Sequence, residues 1–363
     1  MESHALTRLR WSKYSGPYRD RLLESGSELH RFLKREYLAV DSLMKCSTKQ
    51  VDEILNLFVA YQHRIDSSKS LRIAKHGVLY AQLCRPGLRH KLQCTWSSLK
   101  AWEEQKPSSF RPPLPLALLI AITCKARQLG FNSVDHKLTE LWWRFSALLQ
   151  LGFFAMLRPG ELLHLKKNDI GLPNCLSLGS SCIAVRLVHP KNSRQMGIQQ
   201  FALLRHPDSV NWMVWLVSQQ TDEGLLWKHG ANKFRKMFRE VCSRLKLHSC
   251  RFSPASLRAG GATWRAESTD IGSLRFEGRW SNVRSLEHYV QVARAQQLMI
   301  SIPDSVSVSL SNFISEYFFM LALPKHLRLK ALSQHFVESL AVRDCPRANV
   351  VGTCRVWGRF GLP

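Results

Sequence analysis

The stretch Ser256-Leu257-Arg258-Ala259-Gly260-Gly261-Ala262-Thr263 places one arginine directly before a run of small residues. Small side chains in a helix let a neighbouring segment pack closely against its backbone. We therefore predict a helix over residues 258–267 whose small residues permit close packing against a neighbouring segment.

The whole chain carries a strong excess of positive charge. Its 363 residues include 52 Lys and Arg against 27 Asp and Glu, which gives a formal net charge of +25. A field of this sign attracts polyanions, and counterions are released when it neutralises phosphates. Nucleic acid is therefore the partner we expect first, with an acidic membrane surface as the second choice. The hydrophobic fraction of 45% is sufficient for packed cores, so we expect a globular protein.

Several features predict an intracellular protein without a metal or another cofactor. The N-terminus, Met1-Glu2-Ser3-His4, lacks the apolar run of a secretory signal. The most apolar stretch, 141–157, is interrupted by Arg144 and is shorter than the roughly 20 residues of a membrane span. The 10 cysteines include no Cys-x-x-Cys pair of the zinc type. We expect a protein of the nucleus or nucleoid that is neither secreted nor bound to a membrane.

Hydrophobic periodicity predicts a mostly helical (α+β) chain with one small antiparallel sheet. Helical spacing recurs through the first hundred residues, and four prolines within 107–115 then indicate a domain boundary. Two short strands, Cys182–Val188 and Gln200–Leu204, flank turn residues and suggest a hairpin. Helices are predicted over residues 116–128, 138–156, 210–219, 231–245, 258–267 and 286–299. The apolar segment 306–323 packs either on a neighbouring protomer or on its own domain.

Three further motifs accompany Arg258 in the second half of the chain. Leu157-Arg158-Pro159-Gly160-Glu161 places an arginine at a Pro-Gly turn, with an acidic residue three positions later. Gly278-Arg279-Trp280-Ser281 is followed by Tyr289, nine residues after Trp280. His189-Pro190-Lys191-Asn192-Ser193-Arg194 places Lys191 in the turn of the predicted hairpin. Metal-free cleavage of a phosphodiester requires a nucleophile, cations for the non-bridging oxygens and an acid for the leaving oxygen.

Together these motifs resemble the DNA breaking and rejoining core of the tyrosine recombinase and phage integrase family. In chain order the matching residues are Arg158, Lys191, Arg258, Trp280 and Tyr289, at intervals similar to those of the family. One position departs from the pattern, since Ala255 stands where most members have a histidine, three residues before Arg258. Losing one general acid or base costs typically about 10²–10⁴ in rate, so we expect Ala255 to slow the reaction. The polar residues that could compensate are His248, Ser253, Ser256 and His288.

The resemblance implies a mechanism that needs neither ATP nor a metal. Tyr289 would attack a phosphate held by Arg158 and Arg258, which leaves a 3′-phosphotyrosine intermediate and a free 5′ hydroxyl. Glu161 would support Arg158, and Lys191 would protonate the departing oxygen. A 5′ hydroxyl from another strand would then reverse the attack and complete strand transfer.

The resemblance also implies a domain organisation and partners. We expect a basic helical extension (residues 1–46), a helical core-binding domain that clamps DNA (47–108), a catalytic domain (109–300), and a C-terminal helical extension and tail (301–363). Duplex DNA is the expected partner, and a homo-oligomer on paired DNA sites is expected because recombination needs synapsed protomers. The implied role is site-specific recombination or DNA integration by a mobile element, with no small-molecule cofactor.

Other interpretations stay open from the sequence alone. The chain could be a catalytically impaired DNA-binding protein derived from such an enzyme, with Ala255 as the altered position. It could also resemble a type IB topoisomerase, which relaxes supercoils without paired sites. Arg158 could instead bind the last carbonyls of a helix, and Trp280 could be an ordinary core aromatic residue. Lys191 could be a solvated turn lysine, with Arg194 as its rival.

Overall fold

The computed structural model describes residues 11–324 except for positions 13, 37–41, 107–110, 174–181, 189, 191–196, 198 and 221–222. The chain divides into two compact units, Met1–Ser109 and Phe110–Pro363. Across the described residues the fold is mostly helical with one small antiparallel sheet, as the hydrophobic periodicity predicts. No helix in this part of the chain is long and apolar enough to cross a membrane.

The described part of the first unit is all helical. Its helices are α1 (Gly16–Arg35), α2 (Ser42–Lys45), α3 (Thr48–Ile65), α4 (Ser70–Cys84) and α5 (Gln93–Gln105), with a short 3-10 helix at Pro86–Leu88. Ser47 caps α3, because its Oγ accepts the Gln50 amide at 3.3 Å while Gln50 Oε1 accepts the Ser47 amide at 2.9 Å. The buried carboxylate of Asp52 accepts the amides of Cys94 and Thr95, each at 3.0 Å, and so fastens α3 to the start of α5. Apolar side chains of α1, α3, α4 and α5 form one core.

The second unit contains the residues of the predicted site. Its helices are α6 (Leu116–Phe131), α7 (His136–Phe154), α8 (Pro159–Leu163), α9 (Pro207–Ser218), α10 (Gly230–Arg244), α11 (Pro254–Ala266), α12 (Ile271–Glu277), α13 (Val283–Glu287), α14 (Val292–Ile300) and α15 (Asp304–Tyr317). Short 3-10 turns lie at Lys167–Asp169, His248–Cys250 and Phe318–Leu321. Helix α7 runs through the centre of the core, since nearly all of its second half is buried.

A small antiparallel sheet accompanies these helices. Its strands are β1 (Ile170–Gly171), β2 (Ile183–Leu187) and β3 (Gln200–Leu204), in the order β1-β2-β3. Strands β2 and β3 pair in the register that places Val185 opposite Ala202, so the predicted hairpin pairing is confirmed. The two residues of β1 are too few to show a periodicity, which is why the sequence did not predict this strand.

Two glycines let α11 lie directly against other backbone segments. A Cβ added at Gly260 would collide with the carbonyl oxygen of Leu114, and one added at Gly261 would collide with that of Phe153. The tight packing predicted for this stretch is therefore confirmed. It fixes the position of α11 relative to α7.

Helix α7 ends in a left-handed turn that is uncommon for a residue other than glycine. Met156 has a φ of 49°. The Leu157 amide donates to Gly152 O at 3.0 Å and the Met156 amide to Phe153 O at 3.1 Å, which is the pattern of a Schellman motif. The turn leaves the carbonyl oxygens of Ala155 and Met156 to accept hydrogen bonds from other segments.

The segment after α14 folds back onto its own unit. Arg127 of α6 is 1% exposed, and it donates from Nη1 to Leu321 O at 2.6 Å and from Nη2 to Gln150 Oε1 at 2.7 Å. Its guanidinium carbon lies 4.0 Å from the Trp212 ring centroid, and Trp212 Nε1 donates to Leu321 O at 2.8 Å. Burial lowers the pKa of Arg127 to about 9, which leaves the side chain charged at neutral pH. Of the two arrangements left open for segment 306–323, the structure shows the intrachain one.

The helix predicted over 286–299 is interrupted at residues 288–291, so the prediction is wrong for these four residues. Tyr289 lies in the turn between α13 and α14, where its amide donates to Leu286 O at 2.7 Å. Thr263 Oγ1 of α11 donates to Tyr289 O at 3.0 Å and accepts the Gln291 amide at 3.1 Å. Because a side chain of α11 satisfies these backbone groups, the helix need not continue through them.

We expect Gly260→Ala to lower the free energy of unfolding by about 2 kcal/mol or more, because the added methyl group would overlap the Leu114 carbonyl. Urea-induced unfolding measures this loss. Gly160→Ala is the control, since a Cβ there meets nothing within 4 Å, and it should change the free energy by less than about 0.5 kcal/mol. Equal effects of the two substitutions would contradict the close packing of α11.

Candidate active site

Arg258 lies at the centre of the predicted site and is almost completely buried. Only 1% of the residue is exposed. Its Nη1 donates to the carbonyl oxygen of Met156, and its Nη2 donates to that of Gly278 at 2.7 Å. A cation at this position also interacts favourably with the negative end of the α7 dipole. Arg258 thereby joins α11, the end of α7 and the turn after α12.

The aromatic rings of Trp280 and Tyr289 pack on this guanidinium. The guanidinium carbon of Arg258 lies 4.2 Å from the Trp280 ring centroid and 5.3 Å from the Tyr289 centroid. The two rings are themselves 5.3 Å apart and tilted by 57°. Trp280 is 2% exposed, whereas Tyr289 is half-buried. The structure thus brings three of the predicted residues into mutual contact through cation–π and ring packing.

Arg158 is held by Glu161 at the start of α8. Its Nη1 donates to Glu161 Oε1 at 2.6 Å, and its amide donates to Glu161 Oε2 at 2.9 Å. The Arg158 side chain is 22% exposed, while that of Glu161 is 6% exposed. The alternative that Arg158 binds the last carbonyls of α7 is therefore not observed. Of the two predicted arginines, Arg158 is the one that reaches the surface.

Arg279 is a third arginine of the site, and the sequence reasoning missed it. It is 3% exposed and donates from Nη2 to Met156 O at 3.1 Å and to Glu161 Oε2 at 3.5 Å. Its φ of 58° places it in the left-handed region, where glycine is the easiest residue. In the sequence, only its position next to Trp280 pointed to Arg279. Hydrophobic periodicity does not reveal that a charged side chain just after a helix is buried.

The electrostatics of this cluster follow from its burial. Burial lowers the pKa of Arg258 to about 9, with the neighbouring charges of Arg279 and Arg158 acting in the same direction. Burial likewise lowers the pKa of Arg279 to about 10. Burial would raise the pKa of Glu161, but the charges of Arg279 and Arg158 and the bonds from Arg158 outweigh it and bring the pKa below its usual range. Arg258, Arg279 and Glu161 are thus charged at neutral pH.

Nε of Arg258 and Nε1 of Trp280 are buried N–H groups of the cluster that have no acceptor among the described residues. A buried donor without an acceptor is costly, typically by about 1–3 kcal/mol, and such groups concentrate where a ligand binds. The donors and the excess of positive charge both suit an anionic oxygen.

The position of the missing histidine and that of the predicted lysine add no proton donor to the described part of the site. Ala255 lies in the first turn of α11, one turn before Arg258, and its methyl group can neither donate nor accept a hydrogen bond. Of the residues considered as substitutes, Ser256 accepts the Ser253 amide at 3.1 Å and so serves to cap α11. His248 and His288 are both exposed. Lys191 and its rival Arg194 lie outside the described residues.

We expect Glu161→Gln to lower the free energy of unfolding by roughly 3 kcal/mol at pH 7, because it leaves a buried cation cluster without its anion. A carboxyl whose folded pKa is depressed contributes stability above its unfolded pKa of about 4.3 and loses it as pH falls through the folded pKa. The difference between wild type and variant should therefore shrink below about pH 4.

Thermal or urea unfolding between pH 3 and pH 7 tests this expectation. Glu240→Gln removes a half-exposed ion pair with Arg244 and serves as the matched control, with a change of less than about 1 kcal/mol. A pH-independent difference for Glu161→Gln would show that the ion pairs with Arg158 and Arg279 do not stabilise the fold.

Comparisons with known proteins give structural matches only. No family model and no curated protein matches the chain. Among solved structures, the XerH site-specific recombinase bound to palindromic difH substrate in a post-cleavage complex is similar over 75% of each chain, with 14% identity and a TM-score of 0.48. The XerA recombinase matches over 84% of this chain and 94% of its own, with 16% identity and a TM-score of 0.37.

A third match is the integrase of the Tn1549 transposon in complex with transposon right end DNA. It covers 76% of this chain and 92% of its own, with 13% identity and a TM-score of 0.42. Each of these three TM-scores is below 0.5.

Proposed function

We propose that the protein breaks and rejoins DNA strands through a 3′-phosphotyrosine intermediate formed by Tyr289. One observation carries this proposal. Tyr289 and Trp280 pack on a buried arginine, Arg258, inside a cluster of three guanidiniums whose carboxylate, among the described residues, is that of Glu161 alone. A tyrosine side chain beside an excess of buried positive charge is the arrangement needed to attack a phosphodiester and to stabilise the added negative charge.

The proposed reaction conserves the energy of the phosphodiester bond. The Tyr289 oxygen forms a bond to the scissile phosphorus, the bond from phosphorus to the 5′ oxygen breaks, and the departing oxygen takes a proton. Lys191 is the proposed proton donor, and the phenolic proton of Tyr289 passes to solvent or to a neighbouring base. Attack of a 5′ hydroxyl on the phosphotyrosine then releases Tyr289 and reseals a strand without ATP.

The two predicted arginines contribute differently in this mechanism. Arg158, which is 22% exposed, can bond directly to a non-bridging oxygen of the phosphate. Arg258 already donates to two backbone carbonyls from its terminal nitrogens, so it acts mainly through its charge. In a site of low dielectric a fixed charge stabilises the transition state more strongly than it would in water. The Trp280 N–H, which has no acceptor, can complete the contacts to the phosphate.

Duplex DNA is the proposed substrate, and the net charge of +25 supports it. Within this proposal the protein acts in the nucleus or nucleoid, on paired DNA sites as a homo-oligomer. Its role is integration or site-specific recombination, as in a mobile element.

A second candidate function is DNA binding without cleavage. Two observations favour it: Ala255 offers no proton donor, and Arg258 is 1% exposed with both terminal nitrogens bonded to backbone carbonyls. A protein of this kind keeps the fold and the charge of the enzyme while its chemistry is slow or lost.

We expect a covalent protein–DNA adduct that disappears in Tyr289→Phe, since the phenylalanine ring keeps the packing on Arg258 but lacks the attacking oxygen. A pool of randomised duplexes, each with a nick that lets the cleaved fragment diffuse away, traps the adduct, and denaturing electrophoresis detects it. Tyr317→Phe, at a half-buried tyrosine at the end of α15, should retain the adduct. A folded, DNA-binding wild type that forms no adduct would exclude the cleavage function.

Ala255→His should increase the rate of adduct formation by about 10²–10⁴, because it introduces a general acid or base one turn before Arg258. Ser243→His, at an exposed position of α10, is the control and should give no gain. Rates are measured with the same nicked duplexes. An unchanged rate together with tight, salt-sensitive DNA binding would favour the second candidate function.

A further inference from the structure

We infer that Arg279 is a positioning residue that keeps Arg158 ready to bind a phosphate by sharing the Glu161 carboxylate with it. This inference rests on the proposed function. Neither the sequence motifs nor their resemblance to the recombinase family gives Arg279 a part in the reaction.

The geometry centres on a single nitrogen of Arg279. Nη2 lies 3.1 Å from Met156 O and 3.5 Å from Glu161 Oε2. Met156 O also accepts Nη1 of Arg258, and Glu161 also accepts the amide and Nη1 of Arg158. One atom of Arg279 therefore contacts both of the groups that hold the other two guanidiniums.

The backbone of Arg279 is constrained to make these contacts. Its φ of 58° is a left-handed conformation that is unfavourable for a residue other than glycine. The preceding carbonyl, that of Gly278, is held at 2.7 Å by Nη2 of Arg258. The turn is thus fixed from outside, and it directs the Arg279 side chain inward to a position where it is 3% exposed.

Because Arg279 shares the Glu161 carboxylate, fewer guanidinium donors of Arg158 are bound to Glu161. An isolated arginine and carboxylate tend to form a bidentate pair, with two parallel N–H···O bonds. Here Arg158 gives Glu161 one guanidinium bond, from Nη1 to Oε1, while Oε2 is occupied by the Arg158 amide and approached by Arg279. The other guanidinium donors of Arg158, whose side chain is 22% exposed, have no hydrogen bond among the described contacts and are available to bind an anion.

Removing Arg279 should therefore weaken phosphate binding through Glu161. Without the charge of Arg279, the carboxylate would attract Arg158 more strongly and draw it into a bidentate pair. A purely structural role predicts a different outcome, in which stability falls while anion affinity and rate at saturating DNA are kept.

The experiment compares Arg279→Gly, which suits the left-handed backbone, with Arg279→Lys, which keeps the charge. Arg244→Lys is the control, because Arg244 is half-exposed on α10 and pairs only with Glu240 among the described contacts. Calorimetry measures the affinity for inorganic phosphate, and the nicked duplexes give the DNA Kd and the adduct rate constant at saturation. Measurements are made well below the unfolding temperature of each variant.

We expect Arg279→Gly to lower the phosphate affinity and the saturated adduct rate by about tenfold each. The DNA Kd should stay within about threefold of wild type, because affinity for duplex DNA is the sum of many phosphate contacts and the chain keeps nearly all of its net charge of +25. Arg279→Lys should recover part of this loss. In a Glu161→Gln background the effect of Arg279→Gly on phosphate affinity should fall to less than about twofold, since no carboxylate remains to capture Arg158.

Other outcomes would overturn the inference. Variants that unfold at lower temperature but keep both phosphate affinity and adduct rate would show a structural role, as would failure of both variants to fold. Equal effects of Arg279→Gly in the presence and absence of the Glu161 carboxylate would exclude action through Glu161. If the wild type forms no adduct, the proposed function fails, and the phosphate affinities alone decide for or against Arg279. A wild type that binds no phosphate and forms no adduct would exclude both.

Discussion

Two buried guanidiniums share one backbone oxygen, the carbonyl of Met156, and the arrangement of the site depends on this contact. The oxygen is accessible because α7 ends in a Schellman turn in which Met156 adopts a left-handed conformation. The C-terminal end of α7 is also the negative end of its dipole, and this negative end partly offsets the cost of burying two cations side by side. Arg279, which precedes Trp280 in the turn after α12, and Arg258 of α11 both bind this oxygen and so attach their segments to the end of α7.

The close approach of these segments requires the two glycines of α11. Gly260 and Gly261 bring the helix within contact of the Leu114 and Phe153 carbonyls, so Arg258 reaches the end of α7. The resulting cluster is buried and positively charged, and Glu161 is its carboxylate among the described residues. Such a cluster is oriented before any ligand arrives, and preorganisation of this kind is the main physical source of transition-state stabilisation.

Sequence motifs and their resemblance to a known family named Arg258, Trp280 and Tyr289 as residues of one site, and the structure places these three side chains in contact. Features that depend on tertiary contacts were missed. The break in the helix around Tyr289 was missed because it is caused by a hydroxyl of α11, Thr263, which is distant in sequence. Arg279 was missed for a similar reason, since its inward direction follows from a backbone turn that periodicity does not encode. The short β1 had too few residues to give a pattern.

The buried Arg127 has a consequence for how the chain is made. Both hydrogen bonds from its Nη1 go to the carbonyl oxygens of Met320 and Leu321, which come almost 200 residues later in the chain. During synthesis, α6 leaves the ribosome long before these acceptors exist, and until then Arg127 has to remain hydrated or be buried at a high cost. The second unit can therefore reach its full stability only after the turn at residues 318–321 has been synthesised. Because of this one cation in an early helix, folding of the domain is completed only when residues 318–321 are present.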